Sequence, residues 1–298
     1  MLESFSKKIT KRKIQIALSL LWLLDGLAQL QPKMFTNQFA NNVIAPAAQG
    51  QPAVVSDPVN FVVHLILHQP ALFNAMFALI QLSLGVLILC KRTTKYGLIA
   101  SIFWGLAVWY LGEGLGGLAG GQALLLTGAP GAALLYAIIG LAVMPAKTKN
   151  NDSSKEPPAD WLTYVWLVLW LSGILLLLWS KMTTKTLAAM VYGLASGAPG
   201  WLAALDYHVS HWLNFKSNGL IAMAIIVYFA IGLMVILPRW WRLIAVSVGI
   251  VISMLYWVVG QSAAGYYSGL ATDVSTAPLI ILLGIAVLGT KETKLDIF

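Results

Sequence analysis

Residues 22–34 read WLLDGLAQLQPKM, and residues 170–182 read WLSGILLLLWSKM. Trp22 stands 148 positions before Trp170, and Lys33-Met34 stands 148 positions before Lys181-Met182. Shifting the chain by 147 or 148 residues extends the match in both directions. His64 meets His211, Gly85 meets Gly232, Arg92 meets Arg239, and Lys95 meets Arg242. Trp109-x-x-Gly112-Glu113 meets Trp257-x-x-Gly260-Gln261, Gly117 and Gly121 meet Gly265 and Gly269, and Ala129-Pro130 meets Ala277-Pro278. An apolar composition aligns Leu with Leu by accident, but not Trp, His, Arg, Gly and Pro in register. The chain reads as a tandem duplication.

The medium in which the repeat folds follows from composition. Of 298 residues, 59% are hydrophobic and only 10% charged, whereas a soluble domain carries about 25% charged residues. Apolar runs of about twenty residues suit a helix crossing the hydrocarbon core. Such runs lie at about 14–31, 70–90, 96–113, 131–145, 161–180, 218–237, 243–260 and 277–290. The fold class predicted is all-α integral membrane, with eight transmembrane helices as two parallel four-helix repeats. The first repeat covers 1–146 and the second 161–298, joined by the polar, proline-containing linker 147–160 (KTKNNDSSKEPPAD). An even number of spans per repeat makes the copies parallel, related by a pseudo-two-fold axis along the membrane normal. PVNFVVHLILHQ (58–69) and LDYHVSHWLN (205–214) read as short interfacial helices in long outer loops.

Charge sets the sidedness. With the N-terminus inside, fifteen of the nineteen Lys and Arg residues fall on cytosolic segments, as the positive-inside rule requires. Eight spans return the C-terminus to the cytosol. The formal charge of +8 is therefore an orientation signal, and its scatter in short clusters argues against nucleic acid as a partner. The basic N-terminus before the run from Ile14 resembles a signal peptide, but the counterpart of that run later in the chain makes it an anchor helix. The one cysteine, Cys90, builds no disulfide or CxxC site within the chain and reads as an inert interfacial thiol.

Two carboxylates stand out. Asp25 lies inside the first apolar run, about 9 Å from the outer end of its helix, and Glu113 closes the third. A charge in the bilayer costs about 2.5–3.5 kcal/mol even on the lenient scale, so both acids are candidates to face a polar cavity or a partner. At matched positions the second copy has Gly173 and Gln261, which makes the first copy the functional half and the second its scaffold. The competing structural reading has Asp25 bonding to Gln29 or a neighbouring helix and fixing packing alone. All four histidines fall in the two outer segments: His64 and His68 four apart, His208 and His211 three apart, each pair on one helix face. Two imidazoles on one face suit a metal, and His64 and His211 facing each other across the pseudo-axis suit axial ligation of a haem. Histidines in the headgroup layer bonding to water or lipid are the alternative. Lys33 and Lys181 are repeat-equivalent cations, suited to an anion or to snorkelling toward the interface. The Gly-rich stretches GEGLGGLAGG and GQSAAGYYSG suit a tightly packed re-entrant loop or close approach to a ligand. No phosphate-loop, HExxH, GxSxG or dinucleotide-binding motif occurs in a supporting context.

Each four-helix unit resembles the DoxX/DoxD-like membrane family. The resemblance rests on a first helix ending in GLAQLQPKM, a long outer loop, and a second helix closing on LSLGVLILCKRTTKYG, followed by two more helices. It implies a bacterial or archaeal cytoplasmic membrane and an association with redox chemistry, since DoxD-type members are linked to thiosulfate oxidation with quinone as acceptor. The duplication and the histidine-bearing loops depart from the simple four-helix form, and no catalytic residue carries over.

Three functional expectations follow. The first is a membrane subunit or accessory protein of a redox system, with a transition metal, haem or quinone near the outer face and other membrane redox subunits as partners beside the lipid bilayer. The second is a small-solute or ion transporter using the pseudo-axis. The third is a structural subunit of a larger membrane complex.

Overall fold

The structure, a computed structural model, describes residues 9–145 and 156–291. Most of the expected linker lies outside the described residues, as do Lys7, Lys8 and Lys294. Every regular element among the described residues is a helix, and none is a strand. The main helices are α1 Lys11–Ala28, α2 Ala53–His68, α3 Pro70–Leu89, α4 Thr94–Leu111, α5 Ala132–Ala142 and α6 Leu162–Trp179. They are followed by α7 Thr184–Leu194, α8 Gly200–Asn214, α9 Gly219–Met234, α10 Arg239–Leu255 and α11 Thr276–Gly289. Short turns over Pro32–Ala48 and the 3₁₀ segments Gly114–Gly120 and Ser262–Ser268 complete the path.

Helix α3, helix α6 and the segment Arg239–Ser268 are long and apolar enough to cross a membrane. Counting each bent pair as one span raises the number to five: α4 with Gly114–Gly120, bent by 42°, and α8 with α9, bent by 108°. This is the pattern of a multi-pass membrane protein. Helix α1 has the length of a span, but it carries Lys11, Arg12, Lys13 and Asp25. Helices α5 and α11, with 11 and 14 residues, rise only about 16 and 21 Å against a core about 30 Å thick. Before α5 the chain runs through an irregular stretch in which Ala123, Leu124, Leu125 and Ala129 are buried. Non-helical backbone at membrane depth is tolerated when protein surrounds it.

The helices pack as α1 on α3, α3 on α4 and α4 on α5, and again as α6 on α9, α9 on α10 and α10 on α11. Contact between α5 and α11 joins the two sets. Close crossings rest on glycine: a Cβ on Gly26 falls 2.6 Å from Leu82 Cγ, and one on Gly249 falls 2.4 Å from Trp166 Cζ2. At the basic end, Arg12 donates to the carbonyls of Ile88 and Leu89 where α3 finishes. Arg242 likewise donates to the Val287 carbonyl and the Thr290 hydroxyl where α11 finishes. Cations at helix C-termini satisfy carbonyls that have no partner within the helix.

The loops at the opposite end follow the same backbone course. Gly114, Leu115, Gly116, Gly117 and Gly121 have positive φ, and so do Ser262, Ala263, Ala264, Gly265 and Gly269, each 148 positions on. Beyond these loops the register changes. Trp109 Nε1 donates to the Pro130 carbonyl at 2.7 Å, and Trp257 Nε1 to that of Val274 at 3.0 Å. Glu113 Oε1 accepts from the amide of Ala133 at 3.0 Å, and Gln261 Oε1 from that of Ala277 at 3.0 Å. These pairs are 144 apart, so the expected match of Ala129-Pro130 with Ala277-Pro278 is corrected by four residues, about one helical turn. The first loop is longer by that amount, and it is the start of the following helix that its partners bind.

The loop geometry sets a test on stability. A Cβ on Gly116 lies 2.0 Å from the Pro130 carbonyl oxygen at φ +64°, so Gly116→Ala lowers stability by at least about 1–2 kcal/mol. Ala264 already occupies φ +63°, and Ala264→Gly leaves stability unchanged or raises it by up to about 1 kcal/mol. Thermal unfolding in a mild detergent reads both.

Candidate functional site

Asp25 is fully buried. Its Oδ2 accepts from the Tyr136 hydroxyl at 2.5 Å, and its Oδ1 accepts from the backbone amide of Val274 at 2.9 Å. Neither donor lies on its own helix: Tyr136 is the middle of α5, and Val274 belongs to the loop ahead of α11. Trp22, one helical turn before Asp25, stacks on the Tyr136 ring at 4.0 Å and donates its indole N–H to Ser101 at 2.9 Å. An aromatic plane and a carboxylate thus hold one tyrosine from two sides. Of the two partners the structural reading allowed, the neighbouring helix supplies the bond through Tyr136, while Gln29 Oε1 is buried without a partner among the described residues.

The pair forms the floor of a cavity of about 480 Å³. Phe39, Phe73, Phe77 and Trp104 line its walls, and Leu65, Met76 and Ala107, all exposed, line it where it reaches the surface. Polar groups on the wall include Gln81, Glu113 and Asp273. Gln81 Oε1, Glu113 Oε2 and Trp104 Nε1 are sealed from solvent and bond to nothing among the described residues. Buried polar groups are normally satisfied, and each exception marks strain or a missing partner. Glu113 is placed by the turn after α4: its Oε1 caps the first turn of α5, where a carboxylate also meets the positive end of the helix dipole. Its Oε2 occupies space that Gly131 leaves open, 2.2 Å from where a Cβ would stand. Asp273 accepts from the amide of Ser275 at 2.7 Å and from the hydroxyl of Thr272 at 2.6 Å. Among the described residues, no Lys, Arg or His lines this cavity.

The second half has filled the equivalent space. A Cβ on Gly173, the match of Asp25, falls 2.5 Å from Leu125 Cδ1 and 2.9 Å from Tyr228 Cδ2. Leu125 comes from the first-half loop, just as Val274 comes from the second. Each loop thus reaches across to the opposite half, and one delivers an amide where the other delivers a leucine. Gln261 keeps the capping bond of Glu113 and spends its amide on the Leu126 carbonyl at 3.4 Å. Lys33 donates to the Ser268 carbonyl at 2.7 Å and pins that loop; Lys181 is exposed in a left-handed turn after α6.

The histidines stand elsewhere. His64, His68, His208 and His211 are all exposed, and none lines the acid cavity. The reason is helix phase. Helix α2 buries Val55, Val59, Val63 and Ile66, and α8 buries Leu202, Asp206, Ser210 and Leu213; at 3.6 residues per turn the imidazoles fall outside those stripes. His208 and His211 border a shallow depression with Tyr192 and Tyr207, and His211 meets Phe215 edge-on at 4.8 Å. Among the described residues no group of three or more His, Cys, Asp or Glu is arranged to hold a metal. The two acids singled out in the sequence thus converge on one cavity, and the four imidazoles do not line it. Cys90 is exposed at the basic end, and hydrogen bonds from the Arg92 backbone and then the Thr93 side chain lower its thiol pKa.

Sequence reading missed Tyr136, Gln81 and Asp273. Tyr136 carries the one hydroxyl in the apolar run AALLYAIIGLA, and Gln81 the one amide in the inner part of α3, signals of the same kind as Asp25. Asp273 follows a Gly-rich loop and gives no such signal. Tyr136→Phe removes a donor from a buried carboxylate and lowers stability by about 1–3 kcal/mol. Glu113→Gln reproduces the bond made by Gln261 and changes stability by under about 0.5 kcal/mol. Chemical and thermal unfolding in detergent measure both. No family model, curated protein or solved structure matches the chain.

Proposed function

We propose that the chain binds a lipid-soluble small molecule of the quinone class and serves as a membrane subunit or accessory protein of a redox system. In this reading eight helices cross or enter the cytoplasmic membrane of a bacterium or archaeon as two parallel four-helix units, of the DoxX/DoxD-like kind. The basic end faces the cytosol and the two Gly-rich loops face outward, following the positive-inside rule.

One observation carries the proposal: polarity rises along the cavity from mouth to floor. The mouth is framed by exposed Leu65, Met76 and Ala107 on a surface suited to lipid, the walls are aromatic, and the floor is the hydroxyl–carboxylate pair of Tyr136 and Asp25. Sites for small organic molecules are mostly apolar, with a few placed polar groups that fix orientation. A quinone matches that gradient, with an apolar ring and tail behind two oxygens that accept hydrogen bonds when oxidised and donate them when reduced. The orphan Trp104 N–H and the orphan oxygens of Gln81 and Glu113 are complementary to both states.

Two further observations favour binding over conduction. Toward the basic end the bundle is packed with Leu18, Leu84, Leu98 and Ile139, all buried in the core. The matching space in the second half is filled by Leu125. Exposed histidines without a third ligand give a metal or haem no comparable support.

A short-chain quinone added to the purified protein is expected to quench tryptophan fluorescence saturably, through Trp22 and Trp104. Tyr136→Phe or Asp25→Asn is expected to weaken binding about tenfold, the equivalent of one hydrogen bond of about 1.4 kcal/mol. Ala107→Trp, which plugs the mouth, is expected to abolish it. Quenching that never saturates, or that ignores all three substitutions, overturns the proposal.

A further inference from the structure

A second compartment of about 510 Å³ lies behind the acids. It is more polar than the first: Gln51, Gln122, Thr127, Gln261, Ser275 and Thr276 contribute to its wall, with glycines from the first loop between them. The two compartments have four residues in common, namely Ala47, Ala132, Glu113 and Asp273. Two are alanines with nothing to exchange. The other two are carboxylates, so the partition between an apolar cavity and a polar one is made of acid groups wherever it is not made of methyl groups.

Several features make this partition a built arrangement. Glu113 Oε2 is sealed and unpartnered, and it rests where only a glycine at 131 leaves room. Gln81 and Gln29, 6% and 3% exposed, line the apolar side with unpartnered oxygens. Asp273 immediately precedes Val274, whose amide holds Asp25. Glu113 and Asp273 line both compartments and Asp25 lines the first, and among the described residues no cationic side chain lines either.

We propose that Glu113 and Asp273 form a proton port connecting the membrane cavity with the outer polar compartment. The assignment rests on the ligand-binding reading and the sidedness given above, and adds where the proton goes. A hydroxyl of the ligand gives its proton to the free Oε2 of the Glu113 carboxylate, which becomes neutral while the ligand keeps the negative charge as an oxyanion. Transfer to Asp273 restores that carboxylate, and Asp273 returns the proton to water in the polar compartment. One O–H bond breaks and one forms at every step, and no electron moves. Uptake runs the same sequence backwards. Because buried leucines pack the other end, protons exchange with the outer phase and not with the cytosol.

Two measurements on the whole chain in sealed proteoliposomes test the port. In the first, a membrane-impermeant, water-soluble carbodiimide is added outside and the labelled peptides are mapped by mass spectrometry. Glu113 and Asp273 are expected to react, and Gln122→Trp, which fills the polar compartment, to protect them. Labelling of neither acid from outside, or labelling that the plug leaves unchanged, overturns the port. In the second, inner and outer pH are set independently while binding of a short-chain quinol is followed. Affinity is expected to track the outer pH, by about tenfold per unit for one linked proton, and to lose that dependence in Glu113→Gln and in the E113Q/D273N double variant. Affinity that tracks the inner pH instead refutes the port. Failure of any quinol to bind refutes the ligand reading alone, and carbodiimide labelling then decides the port. If the double variant does not fold, Glu113→Gln suffices, since it keeps the capping bond seen at Gln261.

Discussion

A single buried carboxylate ties this molecule together. Asp25 sits at zero exposure in a chain built for lipid, where an unsatisfied charge is costly. It is held by one hydroxyl and one backbone amide from distant parts of the chain. A hydrogen bond contributes about 0.5–1.5 kcal/mol net, and removing one partner leaves a buried polar atom unsatisfied at a cost of about 1–3 kcal/mol. The position of Asp25 therefore fixes α1 against α5, and it fixes the loop ahead of α11 against the first half.

That constraint accounts for the reciprocal course of the two loops. The loop ahead of α11 reaches α1, where Gln31 takes hold of it through Tyr266 and Ala271, and Lys33 through Ser268. The loop ahead of α5 reaches the second half, where Leu125 packs on Gly173 and the Leu126 carbonyl approaches Gly260. The same backbone path thus ends in opposite chemistry: a carboxylate with an amide on one side, a glycine with a leucine on the other. A hydrocarbon side chain needs no partner and fills its space, whereas a carboxylate needs donors and leaves room beside them. The acid cavity exists in one half because only that half was given something to solvate.

The proposed binding and proton exchange draw on this asymmetry. In that proposal the apolar entrance selects a molecule dissolved in the bilayer, and the polar floor orients its head. Glu113 caps a helix with one oxygen and keeps the other free of structural duty. Gln261 shows that the capping bond by itself has no need of an acid. The histidines, the more conspicuous residues in the sequence, take no part in the cavity because they ride on the outward faces of α2 and α8.

Sequence alone was sufficient for the helical class, the multi-pass pattern and the internal match of 148 residues, although it left α7 within an outer loop. Each of these is written in local hydropathy or in identities at a fixed offset, and a span of apolar residues in lipid has little choice but to be helical. It was also sufficient to single out Asp25 and Glu113, because a charge inside an apolar run is conspicuous wherever it points. Tertiary structure alone decided which polar groups meet. Tyr136 and Asp273 join Asp25 across 111 and 248 residues of chain, and the four-residue change of register before α5 and α11 is hidden by a chance repetition of Ala-Pro. Helix phase turned the imidazoles outward, and only packing of the first-half loop against Gly173 closed the second cavity. Such outcomes depend on distances between elements far apart in the chain, and no local pattern encodes those distances.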